Sequence, residues 1–264
     1  MISGFDHVAI AVRDLAAGVA AYETLLGCCV VARENNQGMA SALIAAANMS
    51  IELIAPDGDG EMGRRLTAAL DTGGEGATSL VFSTLDIDAL HRRLDRVGLA
   101  PEAIGERPGR RSFRAAAECT NGVRLFFMQR VERSAPIARE GATLGLDHVV
   151  IRCGDGERAA ALYGARLGLD MRLDREVADR RLMFFRCGDA VAEVIEDKTL
   201  SSDRLWGLSW RVADADAARA RLDAAGLDVS EVRRGMKPGT RVFTVRSGTC
   251  GVPTLMIEPS LRRD

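Results

Sequence analysis

Two histidines of this chain sit in near-identical strands, FDHVAIAV at residues 5–12 and LDHVVIRC at residues 146–153. His7 and His148 are 141 residues apart (148 − 7 = 141). Glu52 in MSIELIAP and Glu193 in AVAEVIED are separated by the same interval. Imidazole and carboxylate are both ligands for divalent metals such as Zn, Ni, Fe, Mn and Co. The same two groups, buried together, can also satisfy each other by hydrogen bonding and do no chemistry. Both readings stay open in the sequence. The third histidine, His91 in LHRRLDRVG, is expected to face solvent from a charged helix.

The interval recurs elsewhere. The only tyrosines, Tyr22 in AYETLLG and Tyr163 in LYGARLG, lie at the same offset. The segments TSLVFSTLDIDAL (78–90), RPGRRSFRA (107–115) and TNGVRLFFMQ (120–129) resemble WGLSWRVADADAA (206–218), KPGTRVFTV (237–245) and TCGVPTLMIE (249–258). A fixed-period repeat of this kind means a duplicated structural unit. The chain is read as two tandem domains, residues 1–131 and 145–264, joined by the polar linker ERSAPIAREGATL at 132–144.

To position the histidines, residues 5–12 must form a strand, because apolar and other positions alternate with period two. Alanine- and leucine-rich helical spacing follows over 15–26 and ends at Gly27. Strands are expected at 28–33, 39–46 and 49–55. A second such unit has a strand at 76–84, a helix at 86–97 and strands near 102–106, 111–118 and 123–129. Each domain therefore holds two βαβββ modules, and the chain holds four. A formal net charge of −2 gives no basic field for nucleic acid. No apolar run reaches membrane-spanning length, and the opening residues lack a secretory pattern. The six cysteines form no C-x-x-C pair, as expected of reduced thiols in a cytoplasmic protein.

The motifs D-H-V-x-I, Y-x-x-x-L-G and x-E-L/V-I resemble those of the vicinal oxygen chelate superfamily, which includes glyoxalases, bleomycin-resistance proteins and extradiol dioxygenases. The resemblance implies an α+β fold in which four βαβββ units form two tandem glyoxalase-like, cup-shaped domains. It also implies a divalent metal (Zn, Ni, Co, Mn or Fe) held by histidine and glutamate, with open positions for substrate oxygens. Carried across, the metal positions are His7, Glu52, Ser79 and Phe126 in the first domain, and His148, Glu193, Gly207 and Leu255 in the second. Each domain keeps two of four ligands. That argues against extradiol dioxygenase chemistry and leaves room for no metal at all. If modules one and three shared a cup, His7, Glu52, His148 and Glu193 would form a complete set.

Strand alternation puts Ser79 on the histidine face of the first domain. In the second domain it puts Arg152, Ser209 and Arg211 there, with Trp206 at a strand start. Two arginines suggest an anionic ligand; pairing with nearby Asp or Glu is the alternative. The hairpin residues Arg111, Arg241, Phe113 and Phe243 read either as a lid or as an ordinary turn with a core phenylalanine. Two functions follow. One is a glyoxalase-like lyase or isomerase acting on a small oxygenated, anionic metabolite, in which a metal would stabilise an enediolate and Glu52 or Glu193 would act as ligand or base. The other is a metal-free protein that binds or sequesters such a molecule. No nucleic-acid or membrane partner is expected, and a homodimer is compatible with the sequence.

Overall fold

A computed structural model describes residues 1–260; positions 261–264 of the expected second domain lie outside the described residues. The first module comprises β1 (Ile2–Ala11), α1 (Leu15–Leu26), β2 (Cys28–Asn36), β3 (Met39–Ala45) and β4 (Ser50–Pro56). An additional helix, α2 (Glu61–Gly73), precedes the second module. That module contains β5 (Gly76–Thr84), α3 (Ile87–Arg96), β6 (Gly105–Arg107), β7 (Arg110–Arg114) and β8 (Arg124–Arg130). A short strand, β9 (Ile137–Ala138), follows. The third module runs through β10 (Gly145–Cys153), α4 (Gly156–Ala160) with a π-helical turn (Ala161–Arg166), β11 (Asp170–Val177), β12 (Arg180–Cys187) and β13 (Ala190–Glu196). The fourth holds β14 (Arg204–Arg211), α5 (Ala215–Ala224), β15 (Arg233–Arg234), β16 (Arg241–Val245) and β17 (Thr254–Glu258).

The strand orders are β6-β7-β8-β5-β1-β4-β3-β2-β9 and β11-β12-β13-β10-β14-β17-β16-β15. Modules one and two thus share one sheet, and modules three and four share the other. The arrangement pairing modules one and three is overturned. Each module opens its helix on an aspartate: Asp14, Asp86, Asp155 and Asp214 accept the backbone N–H three residues on, at 2.9–3.0 Å. These caps satisfy donors that a helix start leaves without partners. No described helix is long and apolar enough to cross a membrane.

The chain packs as two compact units. The first contains Met1–Val8, Thr78–Arg133 and His148–Trp206. Its core includes a run of packed rings: Phe82 lies tilted against Phe5 at 5.4 Å and stacked on Phe127 at 5.7 Å, and Phe127 stacks on Phe113 at 5.0 Å. His91 departs from expectation. It is half-buried, edge-on to Phe113 at 4.9 Å, and its Nε2 lies 3.0 Å from the Glu102 carbonyl. Burial pushes the Cys153 thiol up to about 12, which fits an inert core cysteine.

The second unit contains Ala9–Ala77, Ser134–Asp147 and, of the described residues, 207–260. Here Tyr22 donates to the Thr249 carbonyl at 3.2 Å, and Trp210 is fully buried as its alternation requires. Helix α2 lays Leu66 and Leu70 on Ala11, with Met39 and Ile54 beside them. Its first turn fits because Gly63 lacks a side chain: a Cβ there would stand 2.1 Å from the Gly38 carbonyl oxygen. The Gly63 N–H donates to Gln37 O at 3.1 Å, and Arg13 grips the far end through Leu70 O and Asp71.

The recurring hairpin arginines fasten strands to helices. Arg111 binds Asp88 in the first turn of α3, and Arg241 binds Asp216 in α5. Phe113 and Phe243 are core residues, so the lid reading is corrected. Leu70→Ala, which empties the contact under α2, is expected to cost about 2–5 kcal/mol in equilibrium urea unfolding. A loss below about 0.5 kcal/mol, the range of surface substitutions, would contradict this docking.

Candidate functional site

In the first compact unit His7 is held from behind. Its Nδ1 lies 2.6 Å from Asp6 Oδ1, and Asp6 also accepts from Arg130 Nε and Nη2, both at 2.9 Å. Burial by itself raises the Asp6 carboxyl, but the hydrogen bonds and charges of His7 and Arg130 outweigh it and hold the group well below the usual carboxylate range. Ionised Asp6 therefore keeps a proton on His7 Nδ1. The sequence carried this signal in the D-H pair, but Asp6 and Arg130 were not singled out. Ser79 is buried on β5 opposite Arg124, and Phe126 pairs with Val81 on the same face. Neither Phe126 nor the serine completes a strong ligand set.

In the second unit Glu52 is half-buried on β4, sharing a face with Ile54 and, across β3, with Ser41 and Leu43. Helix α2 covers one end of that face, over Ile54 and Ala11. The repeat aligns Ala11 with Arg152 and Ile54 with Ile195. Residues 197–203 connect β13 to β14 without a helix, so the third module has no counterpart of α2.

The first unit also carries the third-module face, in three rows set by the strand register. The first row is His148, Val191 and Arg186; the second is Val150, Glu193, Phe184 and Leu173; the third is Arg152, Ile195, Leu182 and Arg175. His148 Nε2 stands 3.2 Å from Glu193 Oε2, with side-chain exposures of 16% and 13%. The pair is shielded yet reachable. The opposite face, including Val149, Ile151, Ala192, Val194, Met183 and Phe185, is fully buried.

Arg152 does not stand ready for an anion. It is paired with Asp197 and lies 5.7 Å from the Trp206 ring, which is 39% exposed. In the second unit Arg211 pairs with Asp147 at 3.3 Å, and Ser209 is completely buried beside Leu255. Each guanidinium thus has a carboxylate partner, the alternative reading of these two arginines.

Residues 5–131 match a family model described as a glyoxalase-like domain, and residues 147–244 match that of the glyoxalase/bleomycin resistance protein/dioxygenase superfamily. The chain belongs to the vicinal oxygen chelate superfamily. Its fold is similar to that of a mutant 4-hydroxymandelate synthase from Streptomyces coelicolor, with a TM-score of 0.78 and 14% identity over 100% of this chain and 94% of that one. It is also similar to an Mn(II)-bound glyoxalase from Novosphingobium aromaticivorans, with a TM-score of 0.71 and 17% identity over 97% and 82%. A catechol 2,3-dioxygenase gives a TM-score of 0.70 and 17% identity over 98% and 88%. No curated protein matches the chain in sequence.

The metal that this superfamily implies can be tested against the donors present. A catalytic site normally supplies three protein ligands. In the first domain Ser79 and Phe126, and in the second Gly207 and Leu255, stand at the remaining ligand positions. At Gly207 a Cβ would stand 2.8 Å from the Pro253 carbonyl oxygen, so no longer side chain fits there without a shift. Among the described residues no three His, Cys, Asp or Glu side chains gather into a metal-binding group, so the set His7, Glu52, His148 and Glu193 does not assemble. The donor set does not fit the family's metal.

Arg130→Met, which leaves the Asp6 carboxylate buried without its guanidinium, is expected to destabilise the protein by about 3–5 kcal/mol in chemical denaturation. An unchanged midpoint would show that Asp6 does not depend on Arg130.

Proposed function

We propose that this vicinal oxygen chelate protein binds a small oxygenated metabolite on the His148–Glu193 face of its second domain, without a resident metal. The observation that carries this reading is the 3.2 Å contact between two mostly shielded groups, 16% and 13% exposed, whose neighbours complete no ligand set. A hydroxyl or carbonyl placed there meets a donor and an acceptor side by side. The surrounding Val150, Val191, Ile195 and Phe184 supply the apolar wall usual for a ligand site. The first domain is the supporting copy: Asp6 and Arg130 brace His7, and α2 closes one end of the Glu52 face.

The same pair can move a proton without a metal, with Glu193 as acceptor and His148 as donor. A lyase or isomerase of this kind is the second reading. It is favoured by the donor–acceptor geometry but not by the ligand count.

Metal content of protein purified without chelators, followed by thermal shifts with Zn, Ni, Co, Mn and Fe(II), tests the proposal. The expected result is substoichiometric metal and an unmoved Tm. One bound metal per chain, lost in His148→Ala, would overturn it and establish metal-dependent chemistry.

A further inference from the structure

The three rows around His148 and Glu193 are not chemically uniform, and their pattern describes a ligand. Apolar side chains lie open on this face: Phe184, Val191 and Ile195 are half-buried, and Leu173 is 43% exposed. Exposed apolar surface beside a polar pair is the mark of a site rather than of a sheet facing water. The lane runs from the polar pair across β13 and β12 to β11, with strands about 4.8 Å apart. Two spacings, about 10 Å, separate β13 from β11, length enough for a single ring bearing a substituent at each end and hydrogen-bonded at both.

At the far end of the lane stands Arg175. Its guanidinium carbon lies 6.0 Å from the centre of the Phe184 ring. Three of its arginine neighbours differ. Arg172 is paired with Asp170, Arg181 with Asp174 and Glu157, and Arg152 with Asp197. Among the described residues Arg175 makes no ion pair; it rests on an aromatic face instead. A cation on a ring, at the open end of an apolar lane, presents its planar donor edge to whatever lies along that lane.

We infer that the ligand is a small carboxylate with an aromatic or branched apolar body, bearing a hydroxyl or carbonyl oxygen at its other end. The oxygen meets His148 and Glu193, the body lies on Phe184 and Leu173, and the carboxylate meets Arg175. The inference rests on the proposed His148–Glu193 site and adds the ligand class. Its anionic end lies at Arg175 rather than at either arginine expected from the sequence.

The test uses 4-hydroxybenzoate, with phenol and acetate as probes lacking the carboxylate or the ring, measured by isothermal calorimetry on the full chain. 4-Hydroxybenzoate is expected to bind more tightly than either by roughly fivefold or more, since a charge-assisted bond is lost with phenol and the apolar body with acetate. Arg175→Gln, an exposed change that leaves the core intact, should bring 4-hydroxybenzoate down to the affinity of phenol. Arg175→Lys should restore part of the difference. Glu193→Gln should weaken both phenolic probes.

Equal binding of phenol and 4-hydroxybenzoate, both weakened by Glu193→Gln, overturns the carboxylate inference and leaves the metabolite site standing. Binding indifferent to both Arg175 and Glu193 overturns the two together. Absence of binding by 4-hydroxybenzoate also overturns the inference, while the metal measurement still decides the broader reading.

Discussion

A strand with helices packed on one side has a second face that something must occupy, and in this protein one side-chain position decides what does. At Ala11 the strand offers only a methyl group, and two leucines of α2 settle on it. At the repeat-equivalent position the duplicated strand carries Arg152, paired with Asp197 beneath Trp206. A guanidinium cannot be buried under leucines without a large desolvation cost. The connection after β13 contains no helix that could try. One copy of the strand has therefore joined a core, and the other has kept a polar, partly open face.

That divergence explains the chemistry as well as the packing. Both copies keep the histidine and glutamate, in different surroundings. His7 is locked through Nδ1 to an aspartate that Arg130 keeps ionised, so it contributes to the structure at β1. His148 turns Nε2 toward Glu193, and the two side chains keep exposures of 16% and 13%. With serine, phenylalanine, glycine and leucine at the remaining ligand positions that the resemblance implies, the strands form without the superfamily's usual donor set. Fold and metal chemistry are separable here, as expected when function resides in a site carried by a scaffold.

The repeat made much of the architecture legible. Four modules, the helices at 15–26 and 86–97, and the strand faces all follow from the repeat and from alternation. Helix α2 was missed because its signal is weak: Gly63, Leu66 and Leu70 are one narrow stripe in a polar, glycine-flanked segment, and only tertiary contact turns it into a helix with a destination. The pairing of Arg152 and Arg211 was also invisible. Their partners Asp197 and Asp147 lie at strand ends, and a period-two pattern says nothing about which carboxylate reaches across. Arg175 escaped notice because β11 reads as an exposed charged strand. Its meaning appears only when the register brings it beside Phe184.

The account turns on His148 being accessible while His7 is sealed, and chemical modification of histidine measures that difference directly. With only three histidines in the chain, acylation by diethyl pyrocarbonate can be followed at each by peptide mass spectrometry. The account predicts that His148 reacts first and that His7 resists until the protein unfolds. Comparable rates at His7 and His148 in the native protein, or a slower rate at His148, would contradict it.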